Sequence, residues 1–555
     1  MRYDRNRACI PSFGAIFLLA TLAGGCAPHL PLENPSPTTV EVSPPPPTEE
    51  VDLREPQKEA LPAPDVLGRH EREAGLIAGF LGHLYEARGG RLWFVRETGL
   101  TPAGVRLVEA LGRVDDHALP APHRFGLVAV DGSVGPLRRL LTNVDSLTPD
   151  EVVEIDVLLL RGFIALAGDL SPGAEYDQAR TLVALERAAA GAHAMGQVVD
   201  TWLPADPTYR GLVAAHRTVR ARAPREPAAD WSRRPPRRFP RPGDSHPLVA
   251  MVRARLWVYG YYPLWSAAVG EGFDESDLLS EEAQRLDVGL REALGHFQYS
   301  HGLRSSGLVD GATWQLLSVP PETRLAQIKD ALHVLRESDA RDKPSFLRVN
   351  IPSFEADLFE DYRLVRRFRV VVGSNANVYN TLTGRRGRFN RTPLLTGHMD
   401  RVVLNPVWRV PPRIKANTLD RREAENPGYY EEHGFLVRGE TVAQLPGPTN
   451  PLGRVRFMFD NPYTVFVHDT PDRHTFRARR RALSHGCIRI DDADWLTRHL
   501  LEREDHPAKG RVARILALER EHELKLEVGL PIVIEYRMAG LCEEGRVVFY
   551  EDIYR

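Results

Sequence analysis

The chain has 555 residues, which is enough for about three to five structural units of ordinary domain size. A hydrophobic fraction of 43% predicts buried cores, and a formal net charge of -2 gives no overall positive field that would point to nucleic acid. The cysteines are too few for a disulfide framework or a cysteine-rich zinc site; they are Cys9, Cys26, Cys487 and Cys542.

Residues 1–26 have the pattern of a lipoprotein-type signal peptide. Arginines precede a short apolar stretch, and three small residues then lead to Cys26. The apolar stretch is shorter than the roughly 20 residues that a membrane-spanning helix needs. We expect Cys26 to be lipidated and to become the mature N-terminus, the alternative being a plain signal peptide. Because Ala27 follows in place of an aspartate, the sequence predicts an exported, periplasmic protein anchored to the outer membrane.

The next three segments carry no catalytic pattern. Residues 27–66 are rich in proline and acidic residues, which favours an extended, disordered tether. Residues 67–222 have apolar residues at helical spacing and predict a helical scaffold domain. Residues 223–246 are rich in proline and arginine and predict a linker, which is either solvated or in contact with anionic polymers of the cell envelope.

Residues 247–320 predict a small helical unit. Its second half contains the pattern Phe297-Gln298, Gly302-Leu303 and Asp310-Gly311-Ala312-Thr313-Trp314. This pattern resembles the three-helix peptidoglycan-binding module, which implies a peptidoglycan-binding-like domain. The alternative is a purely structural unit in which Phe297 and Trp314 are core residues.

Beyond a connecting helix at residues 321–345, the pattern changes from helical to strand-like. Short runs rich in β-branched residues and bounded by turn residues predict a mostly antiparallel β domain over residues 346–537. An irregular stretch at about 405–450, rich in proline, glycine and aromatic residues, predicts a lid or binding loop. Residues 538–555 are predicted to form a C-terminal β tail.

One stretch of this β domain carries the residues with chemical potential. His468 follows an apolar strand, and after fifteen further residues comes Ser484-His485-Gly486-Cys487-Ile488-Arg489. An adjacent imidazole lowers the pKa of a thiol by stabilising the thiolate, so His468 and Cys487 are a candidate base and nucleophile. Backbone amides around Gly486 and Cys487 are candidates for an oxyanion hole.

Other interpretations of these residues stay open at this point. His485 is a rival base, and Ser484 and His485 are alternatively structural. The histidines near Cys487 lack a third ligand at the spacing of a zinc site, so we predict no metal. A disulfide between Cys487 and Cys542 would silence the nucleophile, and we expect both thiols to be free. No glycine-rich phosphate loop precedes a helix, and no cofactor is predicted.

The whole pattern resembles the signature of the L,D-transpeptidases with a YkuD-type catalytic domain. Further segments resemble the large YcbB-like subclass: Val349-Asn350-Ile351-Pro352, Arg369-Val370-Val371-Val372-Gly373, Asn405-Pro406-Val407-Trp408, Val410-Pro411-Pro412, Asn426-Pro427-Gly428-Tyr429, Pro446-Gly447-Pro448, Leu452-Gly453-Arg454-Val455, Phe457-Met458-Phe459 and Asp552-Ile553-Tyr554. The resemblance implies a multidomain α+β fold. It consists of a helical scaffold domain, a small three-helix peptidoglycan-binding-like domain and a mostly β L,D-transpeptidase catalytic domain with a lid insertion.

The resemblance also assigns roles around the catalytic motif. It implies that Cys487 is the nucleophile and His468 the general base. It implies that Ser484, His485 and Gly486 shape the turn and the oxyanion region.

Three further residues are implied to contact the substrate. Arg489 would position the site or bind the carboxylate of the peptide. Trp408 and Tyr429 would line the donor groove or simply pack within the lid. The arginines between residues 477 and 481 would attract stem carboxylates, or they belong to a solvated loop.

The implied reaction has two steps. The Cys487 thiolate attacks the carbonyl between the third residue and the terminal D-Ala of a tetrapeptide stem, which releases D-Ala and leaves a thioester. An amine of a neighbouring stem then attacks the thioester and forms a 3-3 cross-link. The implied partners are peptidoglycan stem peptides and, through the lipid on Cys26, the membrane, and carbapenems are implied to acylate the cysteine.

Two alternatives to this function remain. One is an L,D-carboxypeptidase or amidase, which hydrolyses the same bond or links or releases envelope proteins. The other is a non-catalytic peptidoglycan-binding lipoprotein.

Overall fold

A computed structural model describes residues 67–70, 79–96, 99–119, 135–142, 147–170, 178–226, 230–231, 239–262 and 281–555. The predicted signal peptide, the tether, Cys26 and part of the linker at 223–246 lie outside these residues. Within the described ranges, no helix combines the length and the apolar character needed to cross a bilayer.

The first part of the described chain is helical. Its helices are α1 (Phe80–Ala87), α2 (Pro102–Leu111), α3 (Pro136–Leu141), α4 (Pro149–Leu170), α5 (Gln178–Ala188), α6 (Ala192–Trp202) and α7 (Pro207–Arg222). A short hairpin, β1 (Val95–Arg96) with β2 (Gly99–Leu100), separates α1 from α2. Side chains of Thr101 and Asp206 cap the first turns of α2 and α7, each of which begins with a proline. The core of this region lies around α4, which is buried along most of its length.

The described residues of the unit at 247–320 form the helices α8 (Pro247–Val258), α9 (Val288–Ser300) and α10 (Gly311–Leu317), and α11 (Pro321–Glu337) follows. The Phe-Gln and Asp-Gly-x-Thr-Trp pattern has a structural role here. Gln298 is buried, its Nε2 donates to Leu308 O and Thr313 Oγ1, and its Oε1 accepts from the amide of Gly307. Asp310 caps α10 through the amide of Thr313. Phe297 and Trp314 are buried in the core.

The C-terminal part is mostly β. Its strands are β3 (Phe346–Asn350), β4 (Glu355–Glu360), β5 (Arg363–Gly373), β6 (Val378–Asn380), β7 (Arg385–Gly387), β8 (Leu395–Leu404), β9 (Trp408–Arg409), β10 (Phe435–Arg438), β11 (Thr441–Gln444), β12 (Val455–Phe459), β13 (Val467–His468), β14 (Ala482–Ser484), β15 (Ile488–Ile490), β16 (His522–Glu535), β17 (Ala539–Leu541) and β18 (Val547–Phe549). Nine of them form one sheet in the order β14-β5-β15-β13-β12-β8-β16-β3-β4. Because β4 also pairs with β5, the sheet closes on itself.

The inside of this closed sheet is apolar, as the alternation of residues along each strand requires. Leu347 and Val349 of β3 and Phe368 of β5 point into one core with residues of the other strands. Two helices, α15 (Ala493–Arg503) and α16 (Val512–Leu516), add apolar side chains to the same core. Most strand pairs are antiparallel, but β13–β15, β14–β5 and β16–β3 are parallel.

The predicted lid folds as a small unit between β8 and β12. It contains the sheet β10-β11-β9, a π-helical turn (Lys415–Leu419) and three short helices, α12 (Pro412–Ile414), α13 (Asp420–Glu425) and α14 (Tyr429–Glu432). Its base is held by Asn450, which is fully buried and donates to the carbonyl of Pro406. The amide of Asn405 donates to the carbonyl of Arg454, so both ends of the insertion meet.

A buried charge cluster joins the helical region to the sheet. Arg348 on β3 is 1% exposed and forms ion pairs with Asp206, 2.5 Å away at the start of α7, and with Glu535 of β16 at 3.2 Å. Burial opposes the charge on Arg348, but the two carboxylates raise its pKa above the ordinary value. Gly211 of α7 lies against the end of the Leu541 side chain, which would have to shift if residue 211 carried a Cβ. A helical N-terminal region followed by a mostly β C-terminal region confirms the predicted α+β class.

Candidate active site

The register of three neighbouring strands places His468 in a row of charged side chains. Arg456 on β12 lies opposite His468 on β13, and His468 lies level with Arg489 on β15. Residues paired across a sheet, and residues two apart on a strand, point to the same face. Cys487 precedes Arg489 by two residues, and the amide of the intervening Ile488 donates to Phe466 O, which extends the β13–β15 pairing. The thiol, the imidazole and both guanidinium groups therefore share one face of the sheet.

The backbone next to His468 fixes its imidazole. Nδ1 lies 2.5 Å from the carbonyl of Asp469, so Nδ1 carries the proton and donates it to this bond. His468 is 4% exposed. The other ring nitrogen, Nε2, is consequently the one that can accept a proton.

Asp469 holds that carbonyl in place, and it is a residue that the sequence analysis did not single out. Its buried side chain accepts from the amide of Arg454 and forms an ion pair with Arg473 at 2.5 Å. Gly453 has a φ of 62° and lies so close to the Asp469 carboxylate that a Cβ would clash. This explains why a glycine precedes Arg454 at the start of β12.

Ser484 and Gly486 shape the turn that presents Cys487. Ser484 is buried, its Oγ donates to the carbonyl of Cys487 at 2.6 Å, and it accepts from the amide of Gly486 at 3.1 Å. Gly486 has a φ of 128°, which a residue with a side chain rarely adopts. Since the Gly486 amide is bonded to Ser484, the amide of Cys487 is the one left to face a developing oxyanion, and no residue in the described ranges accepts from it.

The C-terminal end of the chain supports the same turn. Thr392 Oγ1 donates to the carbonyl of Gly486 at 2.8 Å, and its amide donates to the hydroxyl of Tyr554 at 3.0 Å. That hydroxyl in turn donates to the carbonyl of Gly373, at the end of β5. Thr392 and Tyr554 are therefore positioning residues for the catalytic turn.

The electrostatics of the pair differ from the sequence-based expectation. We expected the imidazole to lower the pKa of the Cys487 thiol. Instead, burial raises it, while hydrogen bonding with the Phe466 backbone and the charges of Arg456 and Arg489 lower it only in part. Burial and the charge of Arg489 lower the pKa of His468 to about 3. The resting pair is thus a neutral thiol beside a neutral imidazole.

His485, the rival base, is exposed, whereas its neighbours Ser484 and Gly486 are buried. Desolvation and then the charges of Arg413, Arg489 and Arg422 lower its pKa. Two of these arginines belong to the lid, so the lid lies close enough to act on the catalytic turn. The structure brings His485 near the lid arginines.

Arg489 is largely buried, with its Nη1 3.6 Å from Asp472 and its Nε without a hydrogen-bond partner within the described ranges. That leaves a guanidinium edge for a carboxylate on the face that carries Cys487. Arg456, which the sequence analysis missed, likewise has an unpartnered, buried Nε. Its side chain lies over the ring of Phe466.

Trp408 and Tyr429 lie in the small apolar core of the lid. Both ring centroids are 6.2 Å from that of Phe435, and Tyr429 also stacks on His433. The Tyr429 hydroxyl accepts from Arg422. The sequence analysis left two roles open for Trp408 and Tyr429, which were lining the donor groove and packing within the lid. The contacts described above are packing contacts.

Cys487 and Cys542 are free thiols. Cys542 donates to the carboxylate of Glu544. The described part of the chain contains no group of three or more histidine, cysteine or acidic residues placed to hold a metal ion.

The residues missed by the sequence analysis have roles that depend on contacts between separate segments: Arg456 pairs with His468, Tyr554 bonds to Thr392, and Asp469 bonds to Arg454. Arg456 lies twelve positions before His468, and Tyr554 is the second-last residue. The sequence placed Arg456 in a strand of alternating polar and apolar residues. It did not show that this strand pairs with the one that carries His468. The Asp552-Ile553-Tyr554 segment was noticed without any indication of its contact with Thr392.

Comparison with known proteins identifies two regions of the chain. Residues 344–534 match the L,D-transpeptidase catalytic domain, YkuD, and residues 80–215 match the scaffold domain. A protein of Haemophilus influenzae that carries the name L,D-transpeptidase is 27% identical over 226 residues. The match covers 37% of this chain and 43% of that relative, so the chain spans less than half of the relative's length.

The matches among solved structures include the following two. An L,D-transpeptidase from Xylanimonas cellulosilytica is 15% identical, with 55% of this chain and 100% of that chain covered and a TM-score of 0.19. An avibactam carbamoyl enzyme named Ldtfm is 10% identical, with 39% and 63% covered and a TM-score of 0.17. At these scores neither structure bears on the fold described above.

The matched region at 344–534 contains the whole row of strands around His468 and Cys487. The matched region at 80–215 contains the helices around α4. The chain therefore combines a YkuD L,D-transpeptidase catalytic domain with a scaffold domain, the YcbB-like architecture of that family.

Proposed function

We propose that the protein is a cysteine-dependent L,D-transpeptidase that forms 3-3 cross-links between peptidoglycan stems. The observation that supports this most directly is the parallel pairing of β13 with β15, from which we infer that Cys487 and His468, whose Nδ1 donates to the Asp469 carbonyl, share one face of the sheet. A nucleophile, an oriented base and an unused backbone donor are the parts that acyl transfer requires.

In the proposed first step, the thiol proton moves to Nε2 of His468 as sulfur attacks the carbonyl before the terminal D-Ala. Because the imidazole is neutral, it can accept this proton without first losing one. The tetrahedral oxyanion faces the Cys487 amide. The imidazolium then returns the proton to the leaving amine, D-Ala departs, and a thioester remains on Cys487.

In the second step, an amine of a neighbouring stem attacks the thioester. His468 takes the proton that this amine loses and returns it to the departing sulfur, which restores the thiol. Arg489 and Arg456 offer cationic groups for stem carboxylates on the same face. Water in place of the amine would give a carboxypeptidase, so the products decide between the two.

The test incubates the purified protein with disaccharide-tetrapeptide. We expect an intact-mass adduct on Cys487, loss of D-Ala and cross-linked dimers as product. Cys487→Ala should give neither adduct nor product, and Cys542→Ala, which removes the other described free thiol, should behave as the unaltered protein. Tripeptide alone would indicate the hydrolase, and turnover by Cys487→Ala would refute the thioester. A carbapenem should form an adduct on the same cysteine.

We also propose that the protein is exported and anchored through a lipid on Cys26. The support is the sequence pattern of residues 1–26 alone. Cys26→Ala should shift the protein from the membrane fraction to the soluble periplasmic fraction. If the unaltered protein is soluble with an unmodified mature N-terminus, the anchor is wrong.

A further inference from the structure

A cavity lies between the scaffold helix α7, the outer face of the sheet and the C-terminal hairpin β17–β18, and it does not include the turn that carries Cys487. Its volume is about 150 Å³. Neither Cys487 nor His468 lines it. The strand alternation that sends apolar residues of β3, β4 and β5 into the core sends charged residues to this outer face.

The acidic side of the cavity contains two carboxylates, of which Glu355 is the less closely paired. Asp357 and Arg367 face each other across β4 and β5 and form a bidentate pair, at 2.7 and 3.0 Å. Glu355 lies 3.6 Å from the same guanidinium, whose nearer partner is Asp357. No side chain in the described ranges donates a hydrogen bond to the Glu355 carboxyl group. Burial raises its pKa to about 7, so above that pH it is a carboxylate available to a ligand ammonium.

The basic side has an unused donor. Arg537 lines the cavity and is 4% exposed, so its side chain is more than nine-tenths buried. Its Nε donates to Glu535 at 3.0 Å, but its Nη1 has no hydrogen-bond partner within the described ranges. A buried guanidinium nitrogen without a partner is costly unless a ligand satisfies it.

Tyr550 connects the two sides. It lines the cavity, and its pKa, which burial raises most, also responds to the charges of Glu355, Arg367 and Arg537. The charges of Glu355 and Arg537 therefore both affect the same side chain in the cavity wall, that of Tyr550. The remaining wall includes the apolar side chains of Phe359 and Leu541.

We propose that this cavity binds a small free amino acid as its zwitterion, with the ligand carboxylate on Arg537 and the ligand ammonium on Glu355. An engineered cavity of about the same volume in another protein holds benzene, so a ligand of roughly six heavy atoms fits. Alanine has that size, and Phe359 and Leu541 offer a surface for its methyl group. This inference does not depend on the transpeptidase reaction.

The test titrates the full chain carrying Cys487→Ala, so that no chemistry occurs, with glycine, D-alanine and L-alanine by calorimetry. We expect saturable binding of one equivalent at millimolar concentration or below. Glu355→Gln and Arg537→Gln should each weaken it roughly tenfold or more, because each removes a charge-assisted contact. Glu527→Gln, which changes an exposed acid on β16 that does not line the cavity, should leave it unchanged.

Ligands that carry only one charge give a test that needs no variant. Acetate and ethylamine should each bind at least tenfold more weakly than alanine. Equal binding of acetate would overturn the zwitterion site, as would saturation that persists in Glu355→Gln or the absence of binding by every amino acid. Circular dichroism checks the fold of Arg537→Gln, and if that variant fails to fold, Glu355→Gln and the singly charged ligands decide.

Discussion

At the scale of single residues, both members of the proposed pair, His468 and Cys487, are uncharged at neutral pH. Burial holds the thiol protonated and the imidazole neutral, and the two flanking arginines favour the thiolate once the proton leaves. The chemistry is therefore expected to begin with proton transfer during attack. A preformed thiolate and imidazolium would need a lowered pKa at Cys487 and a raised pKa at His468.

This arrangement predicts the pH dependence of Cys487 reactivity. Since the thiol pKa is raised, alkylation of Cys487 by iodoacetamide should accelerate with rising pH, with a midpoint above that of an unperturbed thiol. Since His468 titrates near pH 3, no second step should appear between pH 5 and 8. Peptide-level mass spectrometry follows Cys487 alone, and Arg489→Gln should move the midpoint upward. A midpoint near neutrality would contradict the assignment.

The hydroxyl of Tyr554 gives a second prediction. Tyr554→Phe removes the acceptor of the Thr392 amide and the donor to Gly373 O. The free energy of unfolding should fall by about 1–3 kcal/mol, because buried backbone groups lose their partner. The kcat should fall more than KM rises, because the turn beneath Cys487 loosens. Tyr463→Phe is the control, as Tyr463 is exposed; equal effects would remove Tyr554 from the site.

The roles of the site residues stay predictions from the sequence, whereas the contacts around these residues could not be predicted from it. The spacing from His468 to Cys487 marks the pair because it brings a base and a thiol within one β domain. Asp469, Arg456 and Tyr554 could not be assigned from sequence, since their roles depend on strand register and on contacts between distant segments. The direction of the Cys487 pKa also depends on burial, which spacing does not reveal.

At the scale of elements, the lid has its own small core around Phe435, Leu419 and Val442. It is joined to the rest of the catalytic domain through Asn450 and through Arg413, which donates to Asn390 at 2.7 Å. The irregular composition of residues 405–450 indicated an insertion. It did not indicate the three-stranded sheet, because β9, β10 and β11 have only two to four residues each.

Loss of this core should loosen the lid alone. Phe435→Ala should speed amide hydrogen exchange in β10 and β11, because a small unit with few buried contacts opens locally. KM for the tetrapeptide should rise, while the melting temperature of the whole protein changes little. Leu436→Ala is a matched control, since Leu436 is exposed on the same strand. A large drop in global stability would show that the lid belongs to the main core.

At the scale of the whole molecule, a helical scaffold and a closed sheet are joined through buried charges. The predicted α+β class followed from helical spacing in one half and strand patterns in the other. The junction did not follow, because Arg348 and Asp206 are 142 positions apart and carry no local signal.

The junction predicts a sizeable loss of stability from one substitution. Arg348→Met leaves Asp206 and Glu535 buried without their shared cation, so the free energy of unfolding should fall by roughly 3–5 kcal/mol. The double variant Arg348→Met with Asp206→Asn should lose less. Chemical denaturation measures both. Arg401→Met, which breaks an exposed ion pair with Asp460, should cost about 1 kcal/mol or less.

The parallel pairing of β13 with β15 has a practical consequence. The segment from 469 to 486 leaves one strand and returns beside it, and Val467 paired with Ile488 fixes both ends. Within this segment, Asp472 and Arg473 contact Arg489 and Asp469, and Arg481 bonds to the carbonyls of Val370 and Phe354, so a graft has to keep these residues. The exposed Arg477 and Arg479 are positions that can be changed while His468 and Cys487 keep their places. The loop is thus a place to engineer substrate preference without rebuilding the reaction centre.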